Sequence, residues 1–183
     1  GGGGAGRGPA VPRRVDHVDG IVVILGKPYS RGSVRLASSD PTQAATYDPA
    51  YFSDSRDMDT MVKGVRRARA ISKQGGLGAW SSQELMPGFW NRSDRAIAKW
   101  VAKNAITTYH FAGTCRMGED EAAVSDTPLR LRGVQGGRIA GASAVPFTPV
   151  PAVTARSLLV GVRAQRFMVN ERADGAPLGA AGT

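Results

Sequence analysis

An α+β fold is predicted for this chain of 183 residues, and three observations predict it. A β-branched run, Gly20-Ile21-Val22-Val23-Ile24-Leu25-Gly26, opens the part of the chain with folding signals. Two stretches with helical periodicity follow it in succession and do not alternate with strands. Short strand-like stretches and a closing helix come last. Strands, then helices, then short strands and a helix lack the repeated strand–helix units of a parallel nucleotide-binding sheet. Hydrophobic residues make up 42% of the chain, enough for the core of one domain or a little more.

Each element has its own signal. Lys27-Pro28-Tyr29-Ser30-Arg31-Gly32 breaks the first strand, and Ser33-Val34-Arg35-Leu36-Ala37-Ser38 then alternates polar and apolar residues as a half-buried strand does. Ser39-Asp40-Pro41 ends it, and an extended or looping stretch reaches Tyr51-Phe52. Acids between Asp54 and Asp59 mark a helix start, where the helix dipole favours negative charge. Met58, Met61, Val62, Val65 and Ile71 form its apolar stripe, while Lys63, Arg66, Arg67 and Arg69 fall mostly on the solvated side. Gly75-Gly76 ends it. Asn91 to Asp94 offers caps for a second helix that carries Ile97, Trp100 and Val101 inward. Ala123 to Val134 reads as strands around a break at Pro128, and Arg138-Ile139-Ala140 as another short strand. Thr154 to about Asn170 is the closing helix, with Leu158, Leu159, Val162 and Met168 expected inside.

The ends carry different signals. The head G-G-G-G-A-G-R-G-P-A and the tail A-D-G-A-P-L-G-A-A-G-T offer too little apolar surface to offset ordering entropy. Residues 1–18 are therefore expected to be a disordered head, 19–170 the domain and 171–183 a disordered tail. The head spells G-x-G-x-x-G at Gly1, Gly3 and Gly6, but no strand precedes it and Pro9 follows, so the pattern lacks the context of a dinucleotide-binding turn. His17, among Arg13, Arg14, Asp16 and Asp19, reads as an exposed linker residue.

Composition excludes several functions. The net charge of +9 invites a nucleic-acid reading, yet the cations are scattered, without aromatic interleaving on one face, so no nucleic-acid partner is expected. A single cysteine cannot form an internal disulfide or a cysteine-based zinc site, and no metal site is expected. The longest apolar run, Ile21 to Leu25, is too short to span a membrane. Lacking an initial Met and a signal-peptide pattern, the chain is expected to be a processed product or fragment from the cytoplasm or an organelle rather than secreted.

The chemistry concentrates in T-T-Y-H-F-A-G-T-C-R-M-G, Thr107 to Gly118, which holds one of two histidines and the lone cysteine. On the residues alone, His110 reads as a structural histidine or as a base. Imidazole titrates near neutrality and can accept a hydroxyl proton at working pH, contributing about 10²–10⁴-fold to a rate. Cys115 reads as a small buried filler, and Arg116 as an anchor bonded to a carboxylate or carbonyl.

Four segments, in order, resemble the C-terminal region of the glucose–methanol–choline flavoprotein oxidoreductases. They are P-Y-S-R-G-S-V-R-L-A-S-S-D-P (28–41), D-M-D-T-M-V-K-G-V-R-R-A-R (57–69), Y-H-F-A-G-T-C-R-M-G (109–118) and L-R-L-R-G-V-Q-G-G-R-I-A-G-A-S-A-V-P (129–146). The resemblance implies an antiparallel sheet with flanking helices that roofs the substrate, and a C-terminal strand–helix segment packed on an FAD-binding domain absent from these residues. It implies FAD as cofactor, a small-molecule alcohol as substrate, and hydride transfer to flavin with His110 as proton acceptor. By the same resemblance Gly113 and Thr114, the turn Gly141-Ala142-Ser143, and the loop Pro151-Ala152-Val153 lie against the cofactor. Lacking a Cβ, Gly113 would let the backbone approach a planar ring.

Departures from the family pattern keep alternatives open. A second His or Asn is usual where Ala152 stands, and losing such a donor costs on the order of 3 kcal/mol of transition-state stabilisation. Thr148 or Thr154 would replace it only in a shifted loop. Gly141 replaces a usual Asp, and Gly137 a usual core Leu. A fatty-acid photodecarboxylase of the same family, or a binding or assembly module that kept the fold without the reaction, are the alternatives. The fragment alone is expected to be inactive, and its inner face to need the FAD-binding domain or a partner chain.

Overall fold

A computed structural model describes residues 18–80, 83–148 and 153–173. The elements run β1 (Ser33–Arg35), β2 (Thr46–Asp48), α1 (Ser55–Ser72), α2 (Gly75–Trp80), α3 (Asp94–Asn104), a 3₁₀ turn (Ala142–Ala144) and α4 (Thr154–Ala173). β1 and β2 form an antiparallel ribbon in the register Ser33↔Asp48, Val34↔Tyr47, Arg35↔Thr46. Entry to the ribbon depends on Gly32, where a Cβ would lie 2.1 Å from the Asp48 carbonyl oxygen.

The strand expected over Gly20–Gly26 is not formed. A strand needs a hydrogen-bonding neighbour, and among the described residues none pairs with this run. Val23 instead turns onto α1, where Gly64 makes room; a Cβ at Gly64 would lie 2.5 Å from Val23 Cγ1. Ile21, Val22 and Ile24 are exposed. The next expected strand stops at Arg35 and does not reach Ser38.

The first helix begins where its acids predict. Asp54 caps it by accepting from the Arg56 N–H. Ile71, expected on the apolar stripe, is exposed near the end of α1. After Lys73 the chain breaks and Gly75, at φ +53°, opens α2, so the Gly75-Gly76 signal marks a junction between two helices. Ser93 caps α3 by accepting from the Ala96 N–H. Val62 and Val65 of α1 pack with Ile97 and Val101 of α3, with Phe52, Met58, Met61 and Trp100 around them.

A second cluster lies apart from the first. Leu129, Ala144, Val145, Val160 and Ala164 form it, with Ala112, Met117, Ile139 and Phe167 against it. The strands expected within Ala123–Val134 and at Arg138–Ala140 are reduced to isolated bridges, Met117↔Ser125, Ser125↔Leu131 and Arg130↔Arg138. Leu129 sits at φ +70° directly after Pro128, which interrupts any continuous ladder.

In α4 the inward face differs from the expected one. Val160 and Ala164 are buried, whereas Leu158, Leu159, Val162 and Met168 are exposed. Small residues let α4 lie close on the 3₁₀ turn, and Val160, Ala164 and Phe167, four and three apart, make that stripe. The helix runs on to Ala173, and Glu171 in its last turn pairs with Arg138, which also donates to the Pro128 carbonyl. Residues 171–173 are thus helical where a disordered tail was expected.

Candidate functional site

The histidine-bearing segment leaves α3 and turns sharply. Tyr109 is at φ +62°, and its N–H donates to the Thr107 hydroxyl at 2.9 Å. His110 follows, half-buried. The chain is then stitched to the 3₁₀ turn by three rungs: Gly113 N–H to Ala142 O (3.4 Å), Cys115 N–H to Ser143 O (3.0 Å) and Met117 N–H to Ala144 O (2.9 Å). Gly113, at φ +85°, is needed here, because a Cβ would lie 3.3 Å from the Val145 oxygen and 3.5 Å from that of Pro146. Its freedom therefore serves a close approach to the 145–146 backbone.

Arg116 anchors the far end of the segment. Its guanidinium donates to both carboxylate oxygens of Asp120, at 2.8 and 2.5 Å. Those bonds hold the Asp120 carboxyl down at about 2. Cys115 is half-buried, and the Ser125 hydroxyl donates to its carbonyl at 3.4 Å.

His110, Gly113 and Thr114 border an open cleft of about 2040 Å³, larger than the roughly 300–1,000 Å³ typical of a small-ligand pocket. Phe111, Phe147 and Thr148 border it beside them, and Leu85, Met86 and Pro87 also contribute to its wall. Several charged groups on its border are already engaged. Asp57 accepts from Tyr29 and Ser30 N–H, both at 2.8 Å, and Glu84 is held by Arg69 at 2.8–3.1 Å. Arg31 donates to the carbonyls of Pro28, Tyr29 and Ser30. Among the described residues no hydrogen bond engages the His110 imidazole.

The other expected site residues are divided. Gly141, Ala142 and Ser143 are outside the cleft border and form the turn to which the histidine segment is stitched. A Cβ at Gly141 would meet nothing within 4 Å. Val153 is buried, and its carbonyl accepts from Ser157 N–H and hydroxyl at 2.8 and 2.9 Å, which starts α4. Thr148 borders the cleft, whereas Thr154 is the exposed first residue of α4. His17, Pro151 and Ala152 lie outside the described residues. At Gly137 a Cβ would lie 2.7 Å from Leu131 Cδ1, so the Leu131 side chain occupies the space a larger residue would take.

Sequence reasoning missed the left-handed Tyr109 and the Phe111 and Phe147 walls. No glycine or asparagine announced the turn; the Thr two residues ahead of Tyr109 was the available signal. The residues present fit the ring end of a flavin: Ala112-Gly113-Thr114 brings a run of small side chains to the cleft beside an imidazole without a partner among the described residues. Among the described residues no cluster of His, Cys, Asp or Glu could hold a metal, and no helix is long and apolar enough to cross a membrane.

Comparison with known proteins identifies the family. The family model described as GMC oxidoreductase matches residues 28–161. Choline oxidase of Arthrobacter globiformis is 39% identical over 150 residues, covering 79% of this chain and 27% of that protein. An alcohol dehydrogenase [acceptor] of Pseudomonas putida is 34% identical over 144 residues, covering 79% and 26%. The crystal structure of pyridoxine 4-oxidase from Mesorbium loti superposes with a TM-score of 0.74 at 31% identity, covering 79% of this chain and 28% of that one. The chain thus spans about a quarter of the length of the curated relatives it matches.

Proposed function

This chain belongs to the GMC oxidoreductase family, and from that premise we propose that it is the substrate-side portion of an oxidoreductase that oxidises an alcohol, with His110 as the proton acceptor. FAD is the family's cofactor; when bound, it supplies the acceptor for the hydride that leaves the alcohol carbon. The observation that carries the reading is a half-buried imidazole that borders a large cleft and has no hydrogen-bond partner among the described residues.

The chain's own residues divide the work. His110 takes the hydroxyl proton on an imidazole nitrogen. The rungs from Gly113, Cys115 and Met117 to the 3₁₀ turn keep its segment from shifting, which preserves the alignment that proton transfer requires. Arg116 and Asp120 fix the other end. Phe111 and Phe147 add apolar surface to the cleft beside His110. Gly113 and Thr114, at the cleft border, would hold the cofactor, with Val153 and the Gly141 to Ser143 turn supporting them from outside that border. Thr148 is the hydroxyl of the 147–154 run that borders the cleft.

The remainder of the cofactor is held by an FAD-binding domain packed over the exposed apolar residues Ile21, Val22, Ile24, Leu158 and Leu159. The test is the rate of flavin reduction by a panel of primary alcohols in the enzyme that carries this chain. His110→Ala should slow reduction about 10²–10⁴-fold with little change in FAD binding. Unchanged reduction in that variant would overturn the assignment. A second reading, a module that keeps the fold without the reaction, is favoured by the methyl group of Ala152; bound FAD that no alcohol reduces would support it.

A further inference from the structure

We infer that Arg138 is a positioning residue for His110: it fixes α4 against the loop that leads into the 3₁₀ turn, and that arrangement sets where the histidine segment lies. The inference rests on His110 being the proton acceptor. The Arg138 side chain is only 7% exposed and reaches two elements at once. Its guanidinium donates to the Pro128 carbonyl in the loop and to the Glu171 carboxylate in the last turn of α4. It also lies 5.8 Å over the Phe167 ring of the same helix. The backbone beside it is fastened on both sides, by Leu131 N–H to Gly137 O at 3.0 Å and by Ile139 N–H to Leu129 O at 2.9 Å. All of these contacts lie within the chain, so none depends on a surface that further chain would cover.

The histidine segment rests on the same structure. Ala112 and Met117 of that segment pack against the cluster of Leu129, Ala144, Val145, Val160 and Ala164, and so do Ile139 and Phe167, which adjoin Arg138. The 3₁₀ turn accepts the rungs from Gly113, Cys115 and Met117 and is itself in contact with α4. A close-packed interior transmits displacement. A shift of α4 or of the loop therefore moves the turn, and the turn carries the histidine segment with it. A buried ion pair is a poor source of net stability, because desolvation offsets its attraction, and removing one partner leaves the other charge unanswered. What the Arg138–Glu171 pair contributes is one fixed spacing between α4 and the loop.

The experiment compares Arg138→Met, Arg138→Lys and Glu171→Gln with wild type in the FAD-loaded enzyme, reading alcohol turnover and backbone amide hydrogen exchange. Methionine keeps apolar bulk and removes both bonds. Lysine keeps the charge without the planar fork that meets two acceptors, and glutamine keeps the shape of Glu171 without its charge. The expected result for Arg138→Met is a kcat lower by about 10- to 100-fold, in keeping with an ångström-scale misplacement, with KM little changed. Amides of residues 113–117 should exchange about 10-fold faster, while those of α1 and α3 keep the wild-type rate. Lysine and glutamine should fall between, and Glu171→Gln carries the test where Arg138→Met folds poorly. Wild-type kcat in Arg138→Met and Glu171→Gln would overturn the inference, and so would unchanged exchange at 113–117. Faster exchange throughout the chain, the mark of a merely structural pair, would overturn it as well. If His110→Ala turns over normally, the proton-acceptor reading fails instead, while the exchange rates still decide whether Arg138 holds the segment.

Discussion

Asp57 carries a carboxylate with no exposed surface, a position that stands only if the charge is answered by donors. Burial pushes its carboxyl up, but the Ser30 hydroxyl and the Tyr29 and Ser30 N–H groups together outweigh burial and hold it below the ordinary value of 3.8. The bonds join the loop ahead of β1 to the first turn of α1, which places Arg31 and the ribbon at the cleft. Asp57→Asn keeps the shape and removes the charge, so it should cost about 1.5–3 kcal/mol at neutral pH, read by urea unfolding. A depressed folded pKa means that this stability is present above the unfolded carboxyl pKa and is lost as pH falls through the folded one. Asp54 and Asp120, each held at about 2 first by side-chain bonds from Arg56 and Arg116, act in the same direction. Wild-type stability should therefore decline from about pH 4 downward, and Asp57→Asn should show a shallower decline on that acid limb.

Among the elements, α4 separates what packs within this chain from what does not. Val160 is 7% and Ala164 1% exposed, against 67% for Leu158. In the chain by itself, Val160→Ala should destabilise by about 1–2 kcal/mol through lost burial and a residual cavity, while Leu158→Ala should stay within about 0.5 kcal/mol. Thermal unfolding of the two variants distinguishes this arrangement from the one hydrophobic periodicity predicts, in which Leu158 would be the costlier loss. The helix carries apolar residues on more than one side, so periodicity alone had no means of choosing between Leu158-Leu159-Val162 and Val160-Ala164-Phe167. The contact with a 3₁₀ turn, which wants small side chains, made the choice.

At the scale of the whole molecule, two small clusters, one between α1 and α3 and one under α4, hold most of the buried apolar residues among the described ones, and large apolar side chains such as Leu36, Tyr47 and Ile106 remain exposed. Apolar surface on this scale marks an interaction face. The purified chain should bind a hydrophobic dye and self-associate in gel filtration, and both should fall when the FAD-binding portion of the enzyme is supplied. A monomeric chain that ignores the dye would mean the exposed side chains close on one another in solution.

The existence of α1, α3 and α4, though not of the short α2, and the N-caps of α1 and α3 were legible in the sequence, because Asp54 and Ser93 act on N–H groups two or three residues away and local chemistry is written locally. The family, the histidine segment and the Arg116 anchor were legible for the same reason: short, ordered motifs carry them. The strand at Gly20–Gly26 was misread because strand formation depends on a partner that a β-branched run cannot specify. The face of α4 and the rungs that tie Gly113 to Ala142 were decided by tertiary structure alone. Each depends on which distant backbone lies alongside, and backbone proximity between segments that far apart in sequence leaves no periodic trace in either one.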